Sequence, residues 1–189
     1  MIKMTPNSSK IILGIDPGTN ILGFGLIQLN QKKINLIELD VLLLNKIKDH
    51  DIRLKNIFDK TTYLIDTFNV DEVAIEAPFF GKNIQSMLKL GRAQGVAIIA
   101  SIKKNKKVFE YAPKKIKLAV TGSGKSSKNQ VSSMLINMLG IKKKPSYFDA
   151  TDGLAVAVCH ALQNNAVSKK SVKNKDWSDF IKNNPERLI

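Results

Sequence analysis

The order of the apolar segments constrains this chain more than any other feature of its sequence. Strand-like runs at 10–15, 23–29 and 34–44 follow one another through short polar turns, as antiparallel neighbours do. A helical pattern, a buried strand, a second helix and a last strand come next, and only helical patterns follow. This order predicts an α/β fold with a five-stranded mixed sheet, in which a three-strand antiparallel meander and two parallel strands are flanked by helices.

The length of the chain predicts one folded domain, because 189 residues support one sizeable hydrophobic core. We expect an N-terminal extension at 1–10, the folded domain at 11–163 and a polar tail at 164–189. The predicted later strands are 73–76 and 107–111, and the predicted helices are 54–68, 83–102, 113–120, 128–139 and 150–162.

The charge of the chain predicts a polyanionic partner. Lys and Arg together number 30 and Asp and Glu 16, which gives a net charge of +14 and favours binding to nucleic acid. A biased coding composition is the alternative, because nearly all the basic residues are Lys and both Asn and Ile are abundant.

The apolar segments and the cysteine content exclude other classes of protein. No apolar run approaches the roughly 20 residues of a membrane span, and the first run belongs to a strand pattern instead of a signal peptide. The single cysteine, Cys159, excludes an intramolecular disulfide framework. We therefore expect a soluble, cytoplasmic protein without a membrane partner.

Four acidic residues occupy positions typical of a catalytic site. Asp16 and Glu76 stand where the first and fourth strands end, and parallel neighbouring strands would bring them to one edge of the sheet. Asp149 and Asp152 are three residues apart at the start of the last helix and therefore share a face. Taken singly, Asp16 could be a turn residue before Pro17, and Asp149 could be a helix cap.

Carboxylates gathered in this way would need a cation. Two such charges repel by about 4 kcal/mol at 4 Å with an effective dielectric constant near 20. An all-oxygen site suits Mg²⁺ or Mn²⁺, and two such ions about 4 Å apart can activate water and stabilise the leaving oxygen of a phosphodiester. In so basic a chain, this arrangement predicts cleavage of nucleic acid.

Five sequence motifs occur in order between Ile11 and Leu162. They are ILGIDPGT at 12–19, AIEA at 74–77 with Phe79, KLGRAQGVA at 89–97, FEYA at 109–112 and DATDGLA at 149–155. In this order the motifs resemble the RuvC family of Holliday-junction resolvases, and together they are far more specific than any one of them. Pro78, and Gly153 where the family commonly has Ala, depart from the family pattern.

The resemblance implies a ribonuclease-H-like homodimer that cuts four-way DNA junctions in recombination and repair. It implies dependence on Mg²⁺, 5′-phosphate and 3′-hydroxyl ends, and the branch-migration proteins RuvA and RuvB as partners. The family's catalytic carboxylates match Asp16, Glu76, Asp149 and Asp152. Its base-stacking aromatic residue matches Phe79, and its DNA-facing lysines match Lys117 and Lys128. A related nuclease acting on other nucleic acid, or a DNA-binding protein without activity, is the alternative.

Two further features of the sequence have structural interpretations. The segment 122–126, GSGKS, resembles a phosphate-binding P-loop, but it follows a helical pattern and position 119 is Ala where the motif needs Gly. His160 and Cys159 lie on an apolar helix, so we expect both to be core residues.

The helix predicted at 83–102 is a candidate dimer interface. Its apolar residues cover much of its circumference: Ile84, Met87, Leu88, Val96, Ile98, Ile99 and Ile102. Gly91 and Gly95 would be costly in a solitary helix but permit a close approach of backbones. A helix that packs on the sheet by one face and on its twin by another would explain both features.

Overall fold

A computed structural model describes residues 9–78, 83–142 and 145–167 as one sheet with helices on both faces. The strands are β1 (Lys10–Asp16), β2 (Ile21–Asn30), β3 (Lys33–Leu43), β4 (Glu72–Glu76) and β5 (Lys107–Tyr111). The helices are α1 (His50–Phe68), α2 (Ile84–Lys103), α3 (Pro113–Thr121), α4 (Lys128–Leu139) and α5 (Phe148–Val167).

The sheet has the strand order β3-β2-β1-β4-β5, which confirms the predicted fold class. β1, β2 and β3 form the antiparallel meander, whereas β4 runs parallel to both β1 and β5. Ile15 lies opposite Ile75 in the parallel pair of β1 and β4. The next residue of each strand, Asp16 and Glu76, therefore emerges at the same edge of the sheet.

Alternation along the two central strands divides the buried residues into two cores. Leu13 and Ile75 pack on the face covered by α1 and α2, whereas Ile12 and Ala74 pack on the face covered by α3, α4 and α5. Because side chains alternate between faces, Asp16 and Glu76 project on the α5 side of the sheet. That is the side on which α5 carries its own carboxylates.

Glycines allow α5 to lie unusually close to the sheet. A Cβ atom added at Gly14 would lie 2.3 Å from the Gly153 carbonyl oxygen, and one added at Gly25 would lie 2.4 Å from the Leu154 Cα atom. A Cβ at Gly153 would in turn lie 2.6 Å from backbone atoms of Phe24. The lack of a side chain at Gly153 therefore permits the close contact between α5 and β2.

Two helices are longer than the apolar pattern predicts. α1 begins at His50 and not at Leu54, because the Asp49 side chain accepts hydrogen bonds from two backbone N–H groups of the first turn. α5 begins at Phe148 and continues to Val167, beyond the predicted end at Leu162. A helix that is already nucleated gains one hydrogen bond for each residue added, so a polar sequence can prolong it.

The predicted end segments lie largely outside the described residues, and the division at 10 and 163 stays a prediction. Among the helices of the described ranges, none combines the length and apolarity that crossing a membrane requires.

Candidate active site

Three elements of the fold bring the four predicted carboxylates together. Asp16 ends β1, Glu76 ends β4, and Asp149 and Asp152 lie at the start of α5. One carboxylate oxygen from each of the three aspartates can be chosen so that all three atoms lie within 4.8 Å of one another. Glu76 is not part of that group of three, but it lines two cavities together with Asp16.

The position of Asp149 depends on a glycine of the neighbouring strand. Gly23 pairs with Asp16 in the antiparallel ladder of β1 and β2. A Cβ atom at Gly23 would lie 1.7 Å from the carbonyl oxygen of Asp149, so any larger residue would displace the start of α5. The sheet edge and the helix are therefore held together at the point where the carboxylates meet.

Burial and neighbouring negative charge raise the pKa of two of the four carboxylates. Burial, followed by the charges of Glu76 and Asp152, raises the pKa of Asp16 well above its ordinary value of 3.8. Burial and the charge of Asp152 raise the pKa of Glu76 to about 7. Ionising all four groups is thus unfavourable unless positive charge is nearby, and their oxygen donors are those that hard divalent cations prefer.

The four carboxylates of Asp16, Glu76, Asp149 and Asp152 form the acidic group of the site. Two lysines provide positive charge at one side of this acidic group. Lys117 of α3 and Lys128 of α4 line a cavity of ≈ 160 Å³ together with Asp16, Glu76 and Asp152. The Lys128 ammonium donates a hydrogen bond to Asp152 Oδ2. Lys117 acts at longer range, since its charge lowers the pKa of Glu76. Both of the lysines that the resemblance singled out therefore lie beside the carboxylates.

The opposite side of the acidic group opens towards α2 and includes a residue that the sequence did not indicate. A cavity of ≈ 170 Å³ is lined by Asp16, Glu76 and Gln94, among others. The Gln94 side chain donates a 2.7 Å hydrogen bond to Glu110 of β5. Gln94 belongs to the KLGRAQGVA motif at 89–97, and that motif is the sequence signal that could have drawn attention to it. Phe79, the predicted base-stacking residue, lies outside the described residues.

His160 is a buried structural residue, as predicted. Its Nδ1 atom lies 2.7 Å from the Tyr111 hydroxyl and its Nε2 atom 3.0 Å from Glu72 Oε2. Lys10 donates to the other oxygen of Glu72 over 2.6 Å. This chain of contacts joins α5 to β4, β5 and β1. Cys159 is fully buried as well, which confirms its prediction as a core residue.

The segment 122–126 connects two helices and does not follow a strand. Gly122 has a φ angle of 78° and caps the C-terminus of α3. Gly124 lies against Lys114, where an added Cβ would be 2.7 Å from the lysine side chain. The hydroxyl groups of Ser126 and Thr121 are hydrogen-bonded, with 2.8 Å between the two oxygen atoms. Caps and packing therefore explain the glycines that resemble a P-loop.

The strand order of the sheet, with carboxylates gathered where β1 and β4 end and α5 begins, places the chain in the ribonuclease-H-like class of folds. Within that class the match is specific. Residues 12–160 match the family model described as crossover junction endodeoxyribonuclease RuvC, and the chain belongs to this family.

Curated relatives of the same description match nearly the full chain. The crossover junction endodeoxyribonuclease RuvC of Christiangramia forsetii is 53% identical over 186 residues, which cover 98% of this chain and 96% of that protein. The corresponding protein of Cytophaga hutchinsonii is 53% identical over 179 residues and covers 95% of this chain and 88% of its own.

A solved structure supports the same fold. Thermus thermophilus RuvC, in complex with a Holliday junction substrate, superposes with a TM-score of 0.78 at 28% identity. The superposition covers 84% of this chain and 97% of that one.

Proposed function

We propose that this chain resolves four-way DNA junctions by hydrolysing one phosphodiester bond in each of two opposite strands, leaving 5′-phosphate and 3′-hydroxyl ends. The gathering of Asp16, Glu76, Asp149 and Asp152 beside two lysines is the observation that carries the proposal. Membership of a family whose relatives are named as crossover junction endodeoxyribonucleases supports the choice of substrate.

The donor set fits a divalent metal centre. All four side chains offer oxygen, and the raised pKa values of Asp16 and Glu76 show how poorly the protein alone stabilises their charges. We assign the metal as Mg²⁺, two ions for each subunit, with Mn²⁺ as a substitute. When bound, such ions supply a water nucleophile at neutral pH and stabilise the leaving oxygen.

The residues of the chain perform the remaining tasks. The four carboxylates set the place where cations gather, because each comes from a strand end or from the start of α5. The start of α5 packs on β2 without space for a side chain at Gly23. Lys117 and Lys128 face the same cleft and would hold the phosphates that flank the cut. Phe79 would stack on a base of the junction, as the family resemblance predicts.

A homodimer provides the two cuts that resolution requires. A dimer with two-fold symmetry is the simplest protein that can place one active site at each of two symmetry-related strands of a junction. The candidate surface is the open face of α2, whose exposed fractions are 70% at Ile84, 53% at Leu88 and 54% at Ile99. Gly91 and Gly95 lie on this helix, and among the described residues a Cβ added at either would meet nothing within 4 Å apart from adjacent residues and the helix's own backbone, so a partner could approach closely. Cooperation with RuvA and RuvB stays a prediction.

The proposal is tested with a synthetic four-way junction, a linear duplex and an RNA–DNA hybrid, each with and without Mg²⁺. We expect cleavage of the junction alone, only with the metal, and none by the Asp16→Asn variant. Asp59→Asn is the matched control, because Asp59 pairs with Lys55 on the exposed surface of α1. Equal cleavage of the linear duplex or the hybrid would contradict junction selectivity, and cleavage by Asp16→Asn would remove Asp16 from the site.

A further inference from the structure

Lys128 occupies an unusual place for a residue that is expected to contact DNA. Its ammonium group is hydrogen-bonded to Asp152, one of the proposed metal ligands. The Lys128 side chain is 61% exposed, whereas that of Asp152 is only 13% exposed. A largely solvated cation thus reaches inward to a largely buried anion.

The backbone that carries Lys128 is held firmly, but its side chain is long. Lys128 is the first residue of α4, directly after the N-cap Ser127. The Ser127 and Gln130 side chains each bond to the other's backbone N–H group in a capping box. The start of α4 is therefore fixed, while the four-carbon stem of Lys128 leaves its ammonium group free to change partner.

Lys128 acts on the whole acidic group as its counter-ion. Lys128 lines one cavity together with Asp16, Glu76 and Asp152, so its positive charge lies close to three of the four carboxylates. The same carboxylates would have to hold the metal.

We propose that Lys128 competes with the divalent metal for Asp152, and that it turns towards a DNA phosphate when the metal enters. The inference rests on the proposed metal site and concerns how that site is filled. The ammonium group and the metal are both positive and would share one carboxylate, so each weakens the binding of the other. A phosphate that takes up Lys128 relieves this competition, and binding of DNA and of metal therefore strengthen each other.

The competition is measured on the full chain without DNA, by calorimetric titration with Mn²⁺ at a pH well above the Glu76 pKa of about 7. Lys128→Met keeps most of the stem but removes the charge, and Lys128→Arg keeps the charge. We expect Lys128→Met to bind Mn²⁺ about tenfold more tightly than the unchanged chain, within the usual range of coupling between two sites. Lys128→Arg should bind Mn²⁺ much as the unchanged chain does.

Lys55→Met is the matched control, because Lys55 also pairs with an aspartate but lies on α1 away from the acidic group. It should leave the affinity for Mn²⁺ unchanged. An affinity of Lys128→Met that is equal to or weaker than that of the control would overturn the competition and leave the metal site intact. A lack of saturable Mn²⁺ binding in all variants would overturn both the competition and the metal site.

Discussion

Replacing Glu76 by Gln should stabilise the metal-free protein at alkaline pH. The fold raises the pKa of Glu76 from 4.5 to about 7, by burial and by the charge of Asp152. Each pKa unit corresponds to about 1.4 kcal/mol, so ionised Glu76 costs the folded state about 3 kcal/mol. Gln has nearly the shape of protonated Glu and carries no charge, so Glu76→Gln should recover about that amount.

The direction of the pH dependence follows from the sign of the pKa change. Between about pH 4.5 and pH 7 the folded state of the unchanged protein binds more protons at Glu76 than the unfolded state does. The free energy of unfolding therefore falls as the pH rises through this interval, and the raised pKa of Asp16 acts in the same direction. The gain from Glu76→Gln should be near zero below about pH 4.5 and complete above about pH 8.

The assay is urea unfolding with a chelator present, followed by circular dichroism at both ends of this pH interval. Addition of Mg²⁺ at high pH should raise the stability of the unchanged protein and have less effect on Glu76→Gln, because the variant has lost a proposed ligand. Two results would contradict the proposed cost of ionised Glu76 in the folded state. One is that Glu76→Gln destabilises the metal-free protein at high pH, and the other is that its effect is the same at both pH values.

Three further predictions concern the cavity lined by Lys117 and Lys128, the open face of α2 and the packing of α5. Lys117→Ala should weaken junction binding and reduce the slope of log affinity against log salt by about 1, as measured by fluorescence anisotropy; an unchanged slope would show that Lys117 contacts no phosphate. Leu88→Glu places a charge on the open face of α2 and should shift sedimentation from dimer to monomer, while the circular dichroism spectrum of the folded protein stays the same. A dimer that persists would place the interface elsewhere. Gly23→Ala should lower the free energy of unfolding by about 3 kcal/mol through overpacking against Asp149. A variant of normal stability and activity would show that α5 can move at no cost.

Local signals in the sequence were sufficient to predict the fold class and to select the four carboxylates. Each strand combines an apolar run with a turn, and Asp16 and Glu76 are marked by their position at the strand ends. Asp149 and Asp152 are marked by their spacing at the start of a helix. These are properties of neighbouring residues, which a single sequence contains.

Contacts between distant parts of the chain could not be predicted in the same way. The bond of Lys128 to Asp152 spans 24 positions, and that of His160 to Glu72 spans 88. The first joins α4 to α5. The second depends on how closely α5 lies on the sheet, which Gly14, Gly23 and Gly25 permit because they have no side chain. A glycine in a strand can mark a bulge, a bend or the close approach of another backbone segment, and the amino-acid sequence alone does not distinguish these three cases.

We expect two acidic sites in one dimer to cut two opposite strands of a junction. The most direct measurement follows a supercoiled plasmid that extrudes a cruciform, incubated with the protein and Mg²⁺. Paired cuts within one complex convert the plasmid directly to the linear form, and subunits mixed with an excess of Asp152→Asn should yield nicked circles instead. Linear product that forms only after a nicked intermediate is released, or an equal yield from the mixed subunits, would contradict the claim.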